Sequence, residues 1–152
     1  MAGTLVIMCG IPGSGKSTYA KNFLTARSDI KYISRDEIRF SYLKDNDSYF
    51  KYEKIVYEDF CSLTKKYLEE NYTVIADATF LNKKSRKMFL DKINIKPYKL
   101  IAKVINTPFE TCVKRNAKRE GRLRVPYEVM VNMHESFEYP TVEEGFDKVE
   151  VI

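Results

Sequence analysis

The octapeptide GIPGSGKS at residues 10–17 constrains the fold of this chain more than any other feature. It follows the short apolar stretch TLVIMC and precedes a segment of helical character, the context that the phosphate-binding pattern G-x-x-x-x-G-K-[ST] requires. Its glycines allow amide N–H groups to point at phosphate oxygens, with the positive end of the next helix behind them. We therefore predict a site for ATP and Mg²⁺ whose nucleotide-binding residues are Gly13, Ser14, Gly15, Lys16, Ser17 and Thr18.

Short apolar runs rich in β-branched residues alternate with segments of helical period. We predict strands at residues 4–9, 30–34, 72–77, 98–105 and 148–152. A helical face is indicated by residues that recur every three or four positions, namely Tyr52, Val56, Phe60, Leu63 and Tyr67. This alternation favours parallel pairing, so the expected fold class is α/β, a three-layer sandwich with a parallel sheet of four to five strands. Ligands of such folds collect at the carboxyl ends of the strands.

The composition predicts one globular domain over residues 1–152. Of its residues 44% are hydrophobic, enough for a core, and there is no repeat, low-complexity tract or linker. No apolar run approaches the roughly 20 residues that cross a bilayer, and the start lacks the flanks of a signal peptide, so we expect a cytoplasmic protein without membrane contact. The widely separated Cys9, Cys61 and Cys112 are expected to be buried free thiols.

Two aspartates lie at the end of a predicted strand or just after one, which places them on the same rim as the glycine loop. Asp77 ends the strand YTVIAD, where it could contribute to the Mg²⁺ site, orient the nucleophile or only cap the next helix. In SRDEIR, Ser34 and Glu37 match a capping box. Asp36 gains only a modest stabilisation from the helix dipole there, and could instead accept the proton of an acceptor hydroxyl during phosphoryl transfer. Arg39 shares its helical face and could bind an anionic part of the acceptor.

A basic block covers residues 114–124, KRNAKREGRLR. Its six cationic residues and one glutamate carry a charge of +5, which equals the net charge of the whole chain. Such a local concentration indicates a polyanionic ligand rather than a generally basic surface. We expect a helical lid at about residues 114–126, in which Arg115 and Arg119 share a helical face and bind the ATP phosphates. Arg119 is also predicted to be catalytic. The roles of Arg122 and Arg124 stay open: they could bind the donor, the nucleic-acid strand, or neither.

Four motifs occur in one order: GIPGSGKST, SRDEIR, IADAT and VKRNAKR followed by VP. Together they resemble the kinase domain of bacteriophage-type polynucleotide 5′-hydroxyl kinases over residues 4–137. The resemblance implies a P-loop kinase fold and transfer of the ATP γ-phosphate to the 5′-hydroxyl end of DNA or RNA. It implies Asp36 as general base, Arg39 as the contact to the acceptor phosphate, and Lys16 as a catalytic cation. Ser17 belongs to the matched loop, and its hydroxyl is expected to bind Mg²⁺. By the same resemblance, the lid arginines are Arg115 and Arg119.

The sequence departs from that family in two places. Ala78-Thr79-Phe80 follows Asp77, where relatives commonly carry Asn at the last position, and this leaves the role of Asp77 open. Some phage relatives also carry a phosphatase domain, which we do not expect within these 152 residues.

The sequence leaves three alternative functions open. A kinase of the same fold could phosphorylate a small molecule such as a sugar, an antibiotic or a nucleotide, because one fold hosts many acceptors. A switch or ATPase that transfers nothing is disfavoured because the chain has no N-K-x-D motif. Nucleic-acid binding without catalysis would leave the glycine loop unused. Nothing in the sequence separates DNA from RNA as acceptor.

Overall fold

The described residues, 2–24 and 27–152 of the computed structural model, form an α/β fold. All neighbouring strands pair in parallel in one five-stranded sheet of order β2-β3-β1-β4-β5. In chain order the elements are β1 (Thr4–Cys9), α1 (Lys16–Leu24), β2 (Ile30–Ser34), α2 (Arg35–Tyr42), α3 (Glu53–Glu69), β3 (Thr73–Asp77), α4 (Lys83–Ile93), β4 (Lys99–Val104), α5 (Phe109–Ala117), α6 (Tyr127–Ser136) and β5 (Lys148–Val151). Two short 3₁₀ turns lie at Gly121–Leu123 and Val142–Glu144. The predicted fold class is therefore confirmed, and each predicted strand end is within one residue of the observed one.

The central strand β1 is buried on both faces, as a parallel sheet between helices requires. Leu5 and Ile7 join the larger core, which includes Phe60 of α3 and Phe89 of α4. Val6 and Met8 point to the opposite face and pack with residues that include Ala20 of α1. These two cores make the sheet the middle of three layers.

Helix α3 confirms the face predicted from its spacing. Val56 and Phe60 are fully buried, and Leu63 and Tyr67 pack against the same core. Tyr52 precedes the first residue of the helix as its N-cap. The three cysteines are buried free thiols, as predicted.

The register of the sheet brings the predicted site residues to one rim. Asp77 pairs with Met8 of β1 and with Ser34 of β2, so three strands end at nearly the same level. The glycine loop leaves β1 there, and α2 begins directly after β2. Within the described part of the chain, no helix has the length and apolar character needed to cross a membrane.

Helix α2 begins at Arg35, so Asp36 occupies the second helical position, as predicted. The Ser34 hydroxyl accepts a hydrogen bond from the Glu37 amide at 3.1 Å, which is one half of the expected capping box. The Glu37 carboxylate instead lies 3.4 Å from the Lys21 ammonium of α1. The cap therefore uses the serine but not the glutamate side chain.

Candidate active site

A cleft of about 710 Å³ opens at the carboxyl ends of β1, β2 and β3. Every residue that the sequence predicts for the site lines this cleft: Gly13, Ser14, Gly15, Lys16, Ser17, Thr18, Asp36, Arg39, Asp77, Arg115 and Arg119. The glycine loop forms one wall, and the start of α2 together with the loop that precedes α3 forms another. A donor and an acceptor can therefore meet in one continuous space.

The glycine loop has the backbone that phosphate binding requires. Gly13 and Gly15 have φ values of +82° and +96°, which side chains rarely allow. A Cβ at Gly13 would lie 2.5 Å from the Cys112 carbonyl oxygen, so the loop packs directly on α5. The Ser14 hydroxyl is buried without a hydrogen-bond partner, and an anion beside the loop would satisfy it. The loop residues therefore fit a bound polyphosphate.

Arg115 and Thr107 connect the loop to α5 and the segment before it. The Arg115 guanidinium donates to the Gly13 carbonyl at 3.1 Å, and the Thr107 hydroxyl donates to the Ser14 carbonyl at 2.7 Å. These two contacts join the loop to neighbouring segments and so help to fix its shape. Arg115 also lines the cleft, and its binding to donor phosphates stays a prediction.

Asp77 is buried beside the loop, and its part in the Mg²⁺ site stays a prediction. The Ser17 hydroxyl donates to its Oδ2 at 2.9 Å, and the Tyr32 hydroxyl donates to the same oxygen. Burial, together with the Asp77 charge, raises the pKa of Tyr32, so Tyr32 stays a neutral donor. The suggestion that Asp77 caps the next helix is wrong, because Asn82 caps α4 by accepting from the Ser85 amide at 2.8 Å.

The segment after Asp77 explains the departure from the phage-type pattern. Phe80 has a φ of +43°, in the left-handed region where Asn is favoured. Its ring packs against Phe60 and Phe89, and Arg86 donates to its carbonyl at 2.8 Å. Aromatic packing and a buried guanidinium thus hold a conformation that Asn would adopt more readily.

Asp36 faces the cleft from the start of α2. Its Oδ1 accepts hydrogen bonds from the Tyr49 hydroxyl at 3.0 Å and from the Arg39 guanidinium. Its side chain is 42% exposed, and its Oδ2 has no hydrogen-bond partner among the described side chains. One carboxylate oxygen is therefore fixed, whereas the other is available to a ligand.

Arg39 is 5% exposed and is held more tightly than the sequence suggests. Its Nη2 donates to both Glu53 oxygens at 2.9 and 3.0 Å, and its Nε donates to Glu53 at 3.2 Å. Its Nη1 donates to Asp36 and, at 3.1 Å, to the Tyr49 hydroxyl. These five hydrogen bonds equal the number of its N–H donors. An acceptor phosphate would therefore replace or share one of these bonds, and acceptor binding by Arg39 stays a prediction.

The lid segment differs from the prediction in one respect. Helix α5 ends at Ala117, so Arg119 lies in the turn beyond the helix and does not share a helical face with Arg115. The turn is closed by the buried Asn116, whose amide pairs with the Val125 carbonyl at 2.7 Å and the Val125 amide at 3.0 Å. Arg119 reaches the cleft from this turn.

The sequence leaves the roles of Arg122 and Arg124 open, and the structure describes contacts of Arg124. The Arg124 Nε donates to the Arg119 carbonyl at 2.8 Å, in an exposed hydrogen bond. The side chain of Arg122 lies outside the described residues.

The sequence reasoning missed several residues of the site, among them Tyr32, Tyr49 and Glu53. In the sequence, Tyr32 is typical of an aromatic residue in a strand, and Glu53 is typical of an acidic residue in the first turn of a helix. Tyr49 lies in the loop before α3, where no periodicity exists. Each forms a side-chain hydrogen bond with a residue between 13 and 45 positions away, and local sequence spacing does not predict such contacts.

Comparisons with known proteins agree with this geometry. The L-seryl-tRNA(Sec) kinase of Methanococcus maripaludis is 28% identical over 147 residues, which cover 94% of this chain and 56% of that protein. A putative bifunctional polynucleotide kinase/RNA ligase of Autographa californica nuclear polyhedrosis virus is 27% identical over 146 residues, 88% of this chain and 20% of that protein. The chain thus spans about half of the first relative and a fifth of the second.

A solved structure also matches closely. A chain in the structure of the Pnkp1/Rnl/Hen1 RNA repair complex superposes with a TM-score of 0.77 at 27% identity, covering 96% of this chain and 47% of that one. Together with the viral relative, it confirms the predicted resemblance to polynucleotide kinases. A profile of the AAA domain family matches residues 5–140. The chain therefore belongs to the AAA domain family, and it has the α/β fold and the glycine loop of P-loop kinases.

Proposed function

We propose that this chain is an ATP-dependent polynucleotide kinase that transfers the γ-phosphate to the 5′-hydroxyl end of DNA or RNA. One observation supports this most: Asp36 lines the same cleft as Lys16, with Oδ1 fixed by protein donors and Oδ2 without a partner among the described side chains. A switch that only hydrolyses nucleotide has no need of a second, pre-oriented carboxylate. A kinase needs a base for the acceptor hydroxyl.

The donor half of the site fits ATP and Mg²⁺. The positive-φ glycines, the unpartnered Ser14 hydroxyl and the Lys16 ammonium suit the phosphates. Ser17 and Asp77 would hold Mg²⁺, which when bound neutralises charge on the β- and γ-phosphates. No group of three His, Cys, Asp or Glu side chains suited to a metal occurs among the described residues. That agrees with an ion bound largely by phosphates and water.

The proposed reaction uses Asp36 as the proton acceptor. The 5′-hydroxyl oxygen attacks the γ-phosphorus while its proton passes to Asp36 Oδ2. The new O–P bond forms as the bond to the β–γ bridging oxygen breaks, which gives a 5′-phosphate end and ADP. Arg115 and Arg119 bind the phosphate oxygens on which charge develops, and Arg39 contacts the acceptor phosphate.

A second candidate is favoured by one relative. The archaeal protein is named for L-seryl-tRNA, so its acceptor is attached to RNA but is not a 5′ end. The same cleft could present a seryl hydroxyl to Asp36. Small hydroxyl compounds are the remaining acceptor class.

The test compares acceptors directly. Purified protein is incubated with Mg²⁺ and ATP labelled in the γ-phosphate, together with a 5′-hydroxyl oligonucleotide, L-seryl-tRNA, or a mixture of sugars and nucleosides. The same oligonucleotide carrying a 5′-phosphate is the matched control. We expect label only on the 5′-hydroxyl oligonucleotide. Label on seryl-tRNA or on small molecules, with none on the oligonucleotide, would refute the proposal.

A further inference from the structure

We infer that Tyr49 is a positioning residue for the proposed base, holding the Asp36 carboxylate so that Oδ2 faces the acceptor. The inference rests on the proposed function. It assigns a role in the same reaction to a tyrosine in the loop between α2 and α3, which no sequence motif includes.

The Tyr49 hydroxyl has two partners, and both belong to the acceptor half of the cleft. It donates to Asp36 Oδ1 at 3.0 Å and accepts from Arg39 Nη1 at 3.1 Å. Arg39 also donates directly to Asp36 Oδ1. The three groups form a closed triangle, which fixes the carboxylate more firmly than either donor would alone.

The triangle is anchored on its far side. Glu53, at the start of α3, accepts from Arg39 and also from the Arg35 guanidinium at 2.5 Å. Two carboxylates thus balance two guanidiniums in this network. Because Glu53 fixes Arg39, a movement of Asp36 would break contacts to both Arg39 and Tyr49.

Tyr49 also keeps its proton, as a donor to a carboxylate must. Burial raises its pKa, and the Asp36 charge raises it further, while the charges of Arg39 and Arg119 oppose these effects. Its ring packs under the Arg39 guanidinium, with the carbon of that group 4.6 Å from the ring centroid. The ring and the hydroxyl can therefore be tested separately, because phenylalanine keeps the first and removes the second.

The experiment measures kcat and KM for Tyr49→Phe against a matched control, Tyr42→Phe. The Tyr42 hydroxyl also donates to an aspartate, Asp59, at 2.5 Å, but neither residue lines the cleft. We expect Tyr49→Phe to lower kcat for the 5′-hydroxyl oligonucleotide about 10- to 100-fold, since a misplaced catalytic group costs this much. The KM for ATP should not change, and Tyr42→Phe should keep the wild-type rate.

A double-mutant cycle with Asp36→Asn tests whether Tyr49 acts through the carboxylate. If it does, Tyr49→Phe lowers the residual single-turnover rate of Asp36→Asn much less than it lowers the wild-type rate. A wild-type kcat in Tyr49→Phe, or an equal fold-loss in both backgrounds, would overturn the inference.

The outcomes separate this inference from the proposed function. If the wild type labels a different acceptor, the proposed function fails, and the same cycle run on that acceptor still judges Tyr49. If no acceptor is labelled, both fail.

Discussion

Replacing Asp36 with Asn removes the proposed base and leaves almost everything around it in place. The Asn carbonyl oxygen can still accept from Tyr49 and Arg39, the two donors that hold Oδ1. The amide group takes the position of Oδ2, where it cannot accept a proton. The substitution therefore tests chemistry rather than geometry.

The expected loss in rate follows from the role of a general base. Such a base raises the rate of the chemical step by about 10²- to 10⁴-fold. At 1.36 kcal/mol per factor of ten, this equals roughly 3 to 5.5 kcal/mol of activation free energy. The cost in stability should be small, because the Asp36 side chain is 42% exposed. An ion pair at such a site is worth about 1 kcal/mol or less, which shifts Tm by about 2–4 °C in a domain of this size.

The assay is single-turnover transfer at saturating protein, with thermal unfolding and nucleotide affinity measured in parallel. The Asp36→Asn variant should lose transfer, bind ATP with wild-type affinity and unfold within a few degrees of wild type. The matched control is Asp59→Asn, which alters an aspartate that accepts from the Tyr42 hydroxyl outside the cleft. If the transfer rate of Asp36→Asn fell by less than tenfold, Asp36 would not be the base. A large fall in Tm would instead favour a role for Asp36 only in stabilising the N-terminus of α2.

Three further predictions concern the rest of the site and its support. Arg119→Ala should lower kcat about 10³-fold if the side chain stabilises the transferring phosphoryl group, and an unchanged kcat would exclude that role. Arg86→Met leaves the nearly buried Glu144 carboxylate without its cationic partner, so the free energy of unfolding should fall by about 3–5 kcal/mol. A second change, Glu144→Leu, should recover only part of it, because the Phe80 carbonyl still lacks its donor. Burial acts to raise the pKa of Glu144, but the hydrogen bonds from Arg86 and the Thr141 amide, together with the Arg86 charge, hold the pKa below the ordinary value. The Arg86–Glu144 pair therefore stabilises the fold fully above the ordinary glutamate pKa, and this stability is lost as the pH falls through the lowered pKa of Glu144. If the free energy of unfolding of the wild type and of Arg86→Met fell in parallel as the pH was lowered, this prediction would be contradicted. Gly13→Ala should abolish ATP binding in a nucleotide titration, because its Cβ would lie 2.5 Å from a backbone carbonyl at a φ of +82°, and wild-type affinity would show that the loop adapts.

The sheet and the glycine loop were predictable because their signals are local. A strand buried on both faces, such as β1 (Thr4–Cys9), is a continuous apolar run, and its end is marked by the first glycine of the loop. Once the parallel order is inferred, the rule that parallel strands end at one rim places Asp36 and Asp77 in the same cleft.

The partners of these aspartates were not predictable, because they come from distant parts of the chain. Tyr32 reaches Asp77 across neighbouring strands, and Tyr49 reaches Asp36 from an irregular loop. The turn after α5 is held by a contact between residues nine positions apart, since the Asn116 side chain pairs with the Val125 backbone. Helix propensity in VKRNAKR gives no sign of that contact.

The most direct test of the account is the structure of a ternary complex with a non-hydrolysable ATP analogue, Mg²⁺ and a short 5′-hydroxyl oligonucleotide. The measurement is the distance from Asp36 Oδ2 to the 5′-hydroxyl oxygen. We predict hydrogen-bond contact, about 2.6–3.2 Å, with that oxygen behind the γ-phosphorus and opposite the bridging oxygen. A 5′-hydroxyl bound elsewhere, or facing another side chain with Asp36 turned away, would contradict it.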